Sequence, residues 1–177
     1  MDETKFLELF TKHRPVQNGQ ELRWLIRQVE RTNPQTILEI GVERGGSFKI
    51  WEQVLPVGGR LIGVDIQHVQ TEIDISKSDR NVILLVLDSH NPQTVDVVKQ
   101  ELNGRPVDFL YIDGDHSYDG CKSDFEMFSP LVRQGGLVGF HDVGTEVNNV
   151  GRFFKELQGE KEQVNLNGQG CGVWWKH

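Results

Sequence analysis

The sequence predicts an α/β fold, a largely parallel sheet with helical crossovers, and three observations predict it. From Thr36 onward, strand-like apolar runs alternate with helix-compatible stretches, the pattern of repeated β–α units with right-handed connections. The first unit, TILEIGVERGGSFKI over Thr36–Ile50, is a strand that breaks into glycines and restarts as a helix. Four predicted strands in succession end at an aspartate: Asp65, Asp88, Asp113 and Asp142.

Two helices precede that pattern. Phe6, Leu7, Leu9 and Phe10 make a short amphipathic helix over 3–12, and His13-Arg14-Pro15 ends it because a proline disfavours helix in the residue before it. Leu22, Leu25, Ile26 and Val29 share one face of a second helix over 19–32, ended by Asn33-Pro34. These helices either cover one side of the sheet or cap a pocket. Strand one is 36–41, with a helix near 46–55, and Pro56 and Gly58-Gly59 turn the chain into strand two, 60–65. Residues 67–79 are polar and allow one loose helix. Strand three is the apolar run 82–87, followed by a helix near 92–102. Strand four, 107–112, leads to a helix over 117–132 that stops at Gly135-Gly136, glycines suited to a helix C-terminus. Strand five is 137–141, a helix follows near 147–158, and two strands near 161–166 and 171–176 close the chain. Residues 1–177 read as one domain, with 1–34 as covering helices.

Composition narrows the function. A net charge of −7 with no long basic run argues against general nucleic-acid or membrane-surface binding. Cys121 and Cys171 lack CxxC spacing, so neither a disulfide framework nor a zinc site is indicated. The opening MDETKFLELF has no signal-peptide core, and no apolar run approaches a membrane span, so the expected compartment is cytoplasmic.

The glycine loop after strand one places bare backbone and a helix N-terminus at the carboxyl edge of the sheet, where small cofactors bind in open α/β folds. It is not a pyrophosphate loop. The dinucleotide fingerprint needs a glycine where Glu43 stands, and a P-loop needs a lysine where Ser47 stands. A cofactor with an amino-acid end and an adenosine end fits better: Glu39 can hold an ammonium group, and backbone N–H groups near Gly46 and Ser47 a carboxylate. One aspartate at a strand end is ordinarily a turn former or helix cap. Four in succession converge on one edge and make an acidic site.

LEIGVERGGS, GVDI and the block VDFLYIDGDHSYDGCKSDFEMFSPLVRQGGLVGFHDV together resemble class I S-adenosylmethionine-dependent methyltransferases, specifically the methyltransferase 24 branch related to sugar O-methyltransferases and cephalosporin-hydroxylase-type proteins. The resemblance runs from Thr36 to the C-terminus. It implies a Rossmann-like three-layer sandwich whose seven-stranded sheet is mostly parallel with the last strand antiparallel. It implies S-adenosylmethionine as cofactor, with Glu39, Gly41, Gly45 and Ser47 at the methionine end, Asp65 and Ile66 at the ribose, and Asp88 and Ser89 at the adenine. Asp113 would lie at the methyl end. Asp113 and Asp142 would share a divalent cation such as Mg²⁺, which lowers the pKa of a bound hydroxyl. His116 would be the general base. The reaction implied is O-methylation of a small hydroxylated acceptor, a sugar or specialised metabolite.

Plainer readings stand beside these. Asp113-Gly114-Asp115 is also a turn sequence, with Asp115 or Ser117 capping the next helix. His141 is either a buried histidine bonded to backbone or a metal neighbour, and a third carboxylate is open between Glu43 and Glu146. Trp174, Trp175 and Cys121 read as packing residues. Two other functions remain: a cofactor-binding protein without methyl transfer, and a nicotinamide oxidoreductase. The chain has little inserted sequence to build an acceptor pocket, so completion by a second copy, a homo-oligomer, stays open.

Overall fold

The computed structural model describes residues 1–67, 78–144, 149–166 and 168–177. Seven strands form one sheet: β1 (Thr36–Ile40), β2 (Arg60–Asp65), β3 (Asn81–Val86), β4 (Val107–Ile112), β5 (Val132–His141), β6 (Lys161–Val164) and β7 (Cys171–Trp175). Their order is β3-β2-β1-β4-β5-β7-β6. The first five are mutually parallel, and β7 pairs antiparallel with both β5 and β6. The architecture expected from sequence is therefore the one observed. Order reverses between β1 and β4, the topological switch point where connections diverge and leave a crevice at the strands' carboxyl ends.

Alternation along the strands separates two apolar layers, because successive side chains point to opposite faces. On one face Ile37, Leu61, Phe109 and Tyr111 pack with Phe6 and Leu9 of α1 (Glu3–His13), Leu22, Leu25, Ile26 and Val29 of α2 (Gly19–Arg31), and Phe48 and Trp51 of α3 (Gly46–Val54). On the other, Leu38, Ile40, Ile62, Leu110, Val138 and Phe140 meet Val98 and Leu102 of α4 (Pro92–Leu102), Phe128 of α5 (Tyr118–Phe128), and Phe153 and Phe154 of α6 (Val150–Glu156). The two N-terminal helices thus cover the sheet. The segment joining them, Arg14–Gln17, also forms a cavity wall.

The expected C-terminal stop of α5 is corrected. The helix ends at Phe128, passes through a 3₁₀ turn Ser129–Leu131, and the chain enters β5 at Val132. Pro130, lacking an N–H, breaks the α-helical ladder before the glycines are reached. Gly135 and Gly136 lie inside β5, near the register shift opposite β4, with Gly135 at φ 71°. The glycines serve a strand irregularity, where the five steps from Val132 to Leu137 face only the two from Val107 to Phe109 and the surplus needs a left-handed backbone. Strand three is shifted by one residue from its expected bounds, and the helix near 147–158 is shorter, Val150–Glu156. The loose helix expected within 67–79 falls largely outside the described residues. Among the described residues no helix is long and apolar enough to cross a membrane.

Glu21 ties the helical layer to the C-terminal hairpin. Fully buried on α2, it accepts from the backbone N–H groups of Leu166 (2.6 Å), Gly168 (3.2 Å) and Gly170 (3.1 Å). Replacing it by leucine leaves three donors without their acceptor, of which the Gly170 N–H is buried and costs about 1–3 kcal/mol before relaxation, while those of Leu166 and Gly168 are partly open to water. Glu21→Leu is expected to lose about 3 kcal/mol, read as a lower urea midpoint at unchanged slope.

Candidate active site and cofactor cavity

A cavity of about 730 Å³ opens at the switch point, within the usual size of small-molecule sites. The segments after β1, β2, β3 and β4 contribute to it, with His141 from the end of β5. After β1, Gly41 N–H donates to Val64 O (2.9 Å), and the chain then turns through Val42–Gly45 into α3. Gly41 has φ 84°, and a Cβ there would meet the Asp113 carbonyl oxygen at 2.2 Å, so only glycine lets the β1 and β4 loops touch. Gly45, at φ 77°, is the N-cap of α3 and lies buried off the cavity wall.

Asp65, the last residue of β2, does more than line the wall. Its Oδ2 accepts from Val42 N and Glu43 N, both at 2.8 Å, and its Oδ1 from Gln67 N at 2.8 Å. It thereby holds the glycine loop in shape, and one carboxylate lone pair at Oδ1 remains for a ligand hydroxyl. Ile66 follows it, 67% exposed, as an apolar rim. Beyond β3, Asp88, Ser89 and His90 line the far end, with Asp88 Oδ1 accepting from His90 N (2.9 Å).

Glu39 lies beneath the cavity. It is wholly buried, Oε1 accepts from Ser47 Oγ (2.6 Å), and Oε2 has no hydrogen-bond partner. Burial pushes its carboxyl well above the usual range, and the Ser47 hydroxyl offsets only part of that. Ser47 reaches the cavity surface directly.

The β4 and β5 ends bring together a charged cluster. Asp113 Oδ1 lies 3.0 Å from His141 Nδ1 and 3.8 Å from His116 Nε2, and its Oδ2 accepts from Gln17 Nε2. His116 Nδ1 contacts Asp142 Oδ2, and His141 Nδ1 stands 3.7 Å from Asp142 Oδ1. Asp142 is fully buried at φ 64°, a left-handed conformation in which a non-glycine residue is uncommon, and it lies one layer behind the wall formed by His116 and His141. Asp113, His141 and Asp142 offer ligand atoms all within 4.8 Å of one another, a fit for a divalent cation. His141 therefore bonds a carboxylate and not backbone, beside the two aspartates that the resemblance assigns to the cation. Contact with Asp142 raises the proton affinity of His116 against its partial burial. Burial lowers that of His141, but Asp113 and Asp142 outweigh it and the net shift is upward. Of the two capping candidates, Ser117 is the N-cap of α5, accepting from Gly120 N (3.0 Å), while Asp115 Oδ1 accepts from Ser117 N (2.8 Å).

Beneath this loop lies Asp124 of α5, fully buried, 3.5 Å from His90 Nε2. Burial pushes its carboxyl up to about 6, although Ser89 and His90 oppose the shift. A raised acid binds its proton more tightly folded than unfolded. Its penalty is therefore absent below pH ~4, grows between pH ~4 and 6, and is complete above. Asp124→Asn removes that dependence. The variant is expected to gain on wild type by about 2–3 kcal/mol between pH 4 and pH 8 in urea midpoints.

Arg14, Val16, Gln17, His90 and Gln169 line the cavity without having been legible as site residues. Gln17 meets Asp113 across 96 residues of sequence, and no local signal announces such a contact.

A doubly wound sheet with a nucleoside-sized cavity at its switch point, walled by glycine backbone and strand-end acids, defines a cofactor-binding α/β domain. Its family follows from comparison with known proteins. The methyltransferase 24 model, a methyltransferase domain, matches residues 38–143, and the chain belongs to that family. Among curated relatives, caffeoyl-CoA O-methyltransferase 2 of Eucalyptus globulus is 27% identical over 126 residues, 69% of this chain and 49% of the relative. The 8-demethyl-8-(2-methoxy-alpha-L-rhamnosyl)-tetracenomycin-C 3'-O-methyltransferase of Streptomyces olivaceus is 29% identical over 129 residues, 65% of this chain and 29% of the relative. The chain spans about half, or less, of the length of such relatives. The O-methyltransferase from Bacillus cereus in complex with SAH superposes with a TM-score of 0.69 at 20% identity, over 98% of this chain and 90% of that one. The MycE methyltransferase in complex with Mg and SAH gives 0.69 at 18% identity, over 97% and 53%. At these identities the structural likeness speaks for the fold.

Proposed function

We propose that this chain is an S-adenosylmethionine-dependent O-methyltransferase for a small hydroxylated acceptor, with residues 1–177 acting as one methyltransferase domain. The convergence of the glycine loop, Asp65, Asp88 and the His116–Asp142 pair on one cavity carries the reading. S-adenosylmethionine, when bound, supplies an electrophilic methyl group on a sulfonium. Ser47, held by Glu39, and the α3 N-terminus receive the amino-acid end, with Gly41 bringing the β1 and β4 loops together and Gly45 turning the chain into α3. Asp65 accepts from the ribose hydroxyls beside Ile66, and Asp88 and Ser89 meet the adenine. His116, its Nδ1 fixed on Asp142, would take the acceptor's hydroxyl proton at Nε2 as the methyl group exchanges its bond to the sulfonium sulfur for one to the acceptor oxygen, leaving S-adenosylhomocysteine. Asp113 lies beside that nitrogen and stabilises the imidazolium. A divalent cation such as Mg²⁺, where present, would be held by Asp113, Asp142 and His141 and would polarise the acceptor oxygen.

An acceptor screen with S-adenosylmethionine and a panel of catechols, sugars and phenolic metabolites tests the proposal. Formation of S-adenosylhomocysteine with one methylated product is expected. Cofactor binding without turnover on any acceptor would instead favour a non-catalytic binding protein.

A further inference from the structure

The far end of the cavity holds an ionisable pair that the methyl-transfer reading does not use. Asp124 is fully buried on α5, and neither of its carboxylate oxygens has a hydrogen-bond partner. A buried polar group left unbonded costs about 1–3 kcal/mol, so its setting in a native fold needs a reason. Oδ1 lies 3.5 Å from His90 Nε2, and Oδ2 would lie 3.5 Å from a Cβ on Gly114. His90 and Gly114 both line the cavity, so the carboxylate sits one layer behind its wall, between the β3 and β4 loops. The loop bearing His90 is pinned. His90 N donates to Asp88 Oδ1 (2.9 Å), and Asp88 O accepts from Asn91 N (3.1 Å) and Thr94 Oγ1 (2.6 Å). The imidazole itself remains 34% exposed beside Asp88 and Ser89.

We propose that His90 is a specificity-determining residue for the cofactor's base, and that Asp124 is the positioning residue that sets its tautomer. The assignment rests on the methyltransferase reading above, which puts adenine beside Asp88 and Ser89. The Asp124 carboxyl, pushed up to about 6, is ionised at pH 8. An anion facing Nε2 favours the proton on that nitrogen, and a neutral imidazole with Nε2–H carries its lone pair at Nδ1. The exocyclic amine of adenine has two N–H donors. The second oxygen of Asp88 accepts from one and His90 Nδ1 from the other. Hypoxanthine carries a carbonyl oxygen at that position, which would face two acceptors and no donor. The pair would thus admit an adenosyl cofactor and reject its inosyl counterpart.

The test is calorimetric titration of the full chain at pH 8 with S-adenosylhomocysteine and with S-inosylhomocysteine, its deaminated counterpart, for wild type, His90→Phe and Asp124→Asn. Phenylalanine keeps a ring beside the base and removes the nitrogen acceptor. The readout is the ratio of the two dissociation constants, because a packing defect weakens both ligands alike and leaves the ratio unmoved. Wild type is expected to favour S-adenosylhomocysteine by about 100-fold, and His90→Phe to lower that preference about 10-fold. Asp124→Asn, whose neutral amide can face either tautomer, is expected to lower it about 3-fold. An unchanged ratio in His90→Phe would overturn the proposal, and an unchanged ratio in Asp124→Asn would overturn the positioning role. A wild type that binds neither ligand would overturn the assignment together with the cofactor reading beneath it.

Discussion

Gly41→Ala is expected to collapse the cavity and cost at least ~3 kcal/mol of stability. Two effects add. Alanine at φ 84° is strained by about 1–2 kcal/mol, and its Cβ would lie 2.2 Å from Asp113 O and 2.6 Å from Gly114 Cα, both backbone atoms that cannot rotate away. The loops that must separate are those bearing Asp65's backbone partners on one side and Asp113 on the other. Cofactor affinity is therefore expected to fall below detection along with the melting temperature. Gly58→Ala is the control: that glycine has a similar φ of 75° but open space around its Cβ, so it should cost only about 1 kcal/mol and leave binding intact.

His116→Ala is the second large effect, and it is kinetic. His116 is 41% exposed, packs little, and touches the cavity through a ring anchored on Asp142. Losing a positioned general base lowers the rate by about 10²–10⁴-fold. The turnover number on the acceptor found by screening should fall by that factor, while S-adenosylhomocysteine affinity stays within about 2-fold. Full turnover by the variant would remove His116 from the mechanism and leave cation activation as the remaining route.

Much of this site was legible in the sequence because strand ends are local events. Each of Asp65, Asp113 and Asp142 terminates or directly follows an apolar run, and alternation of β and α segments places such ends on one edge. Gly41 was legible as backbone freedom, though not that its true neighbour is Asp113. The roles that escaped depend on contacts between distant segments. Glu39 reads as a cofactor ligand in TILEIG, and the fold adds that its Oε1 accepts from Ser47 Oγ beneath the cavity, a contact across a turn that sequence does not show. Asp65 reads as a ribose acceptor, yet it also holds Val42 and Glu43, a use only the folded loop reveals. His141 stood between two plain alternatives until its ring was found on Asp113. Gly135-Gly136 misled because glycines after a helix and glycines in a strand irregularity look alike in sequence, and Pro130 had already ended the helix.

The most direct test of the central claim is calorimetric titration of S-adenosylhomocysteine into wild type and Asp88→Ala, with NAD⁺ as the competing cofactor. Asp88 is exposed at the far end of the cavity and its carboxylate supports only a local turn, so its loss reports on the ligand and spares the fold. Asp65→Ala would blur the result by releasing the glycine loop. The account predicts micromolar binding of S-adenosylhomocysteine to wild type, weakened by about 1–3 kcal/mol in Asp88→Ala, and no heat with NAD⁺. Binding of NAD⁺ with none of S-adenosylhomocysteine would contradict it.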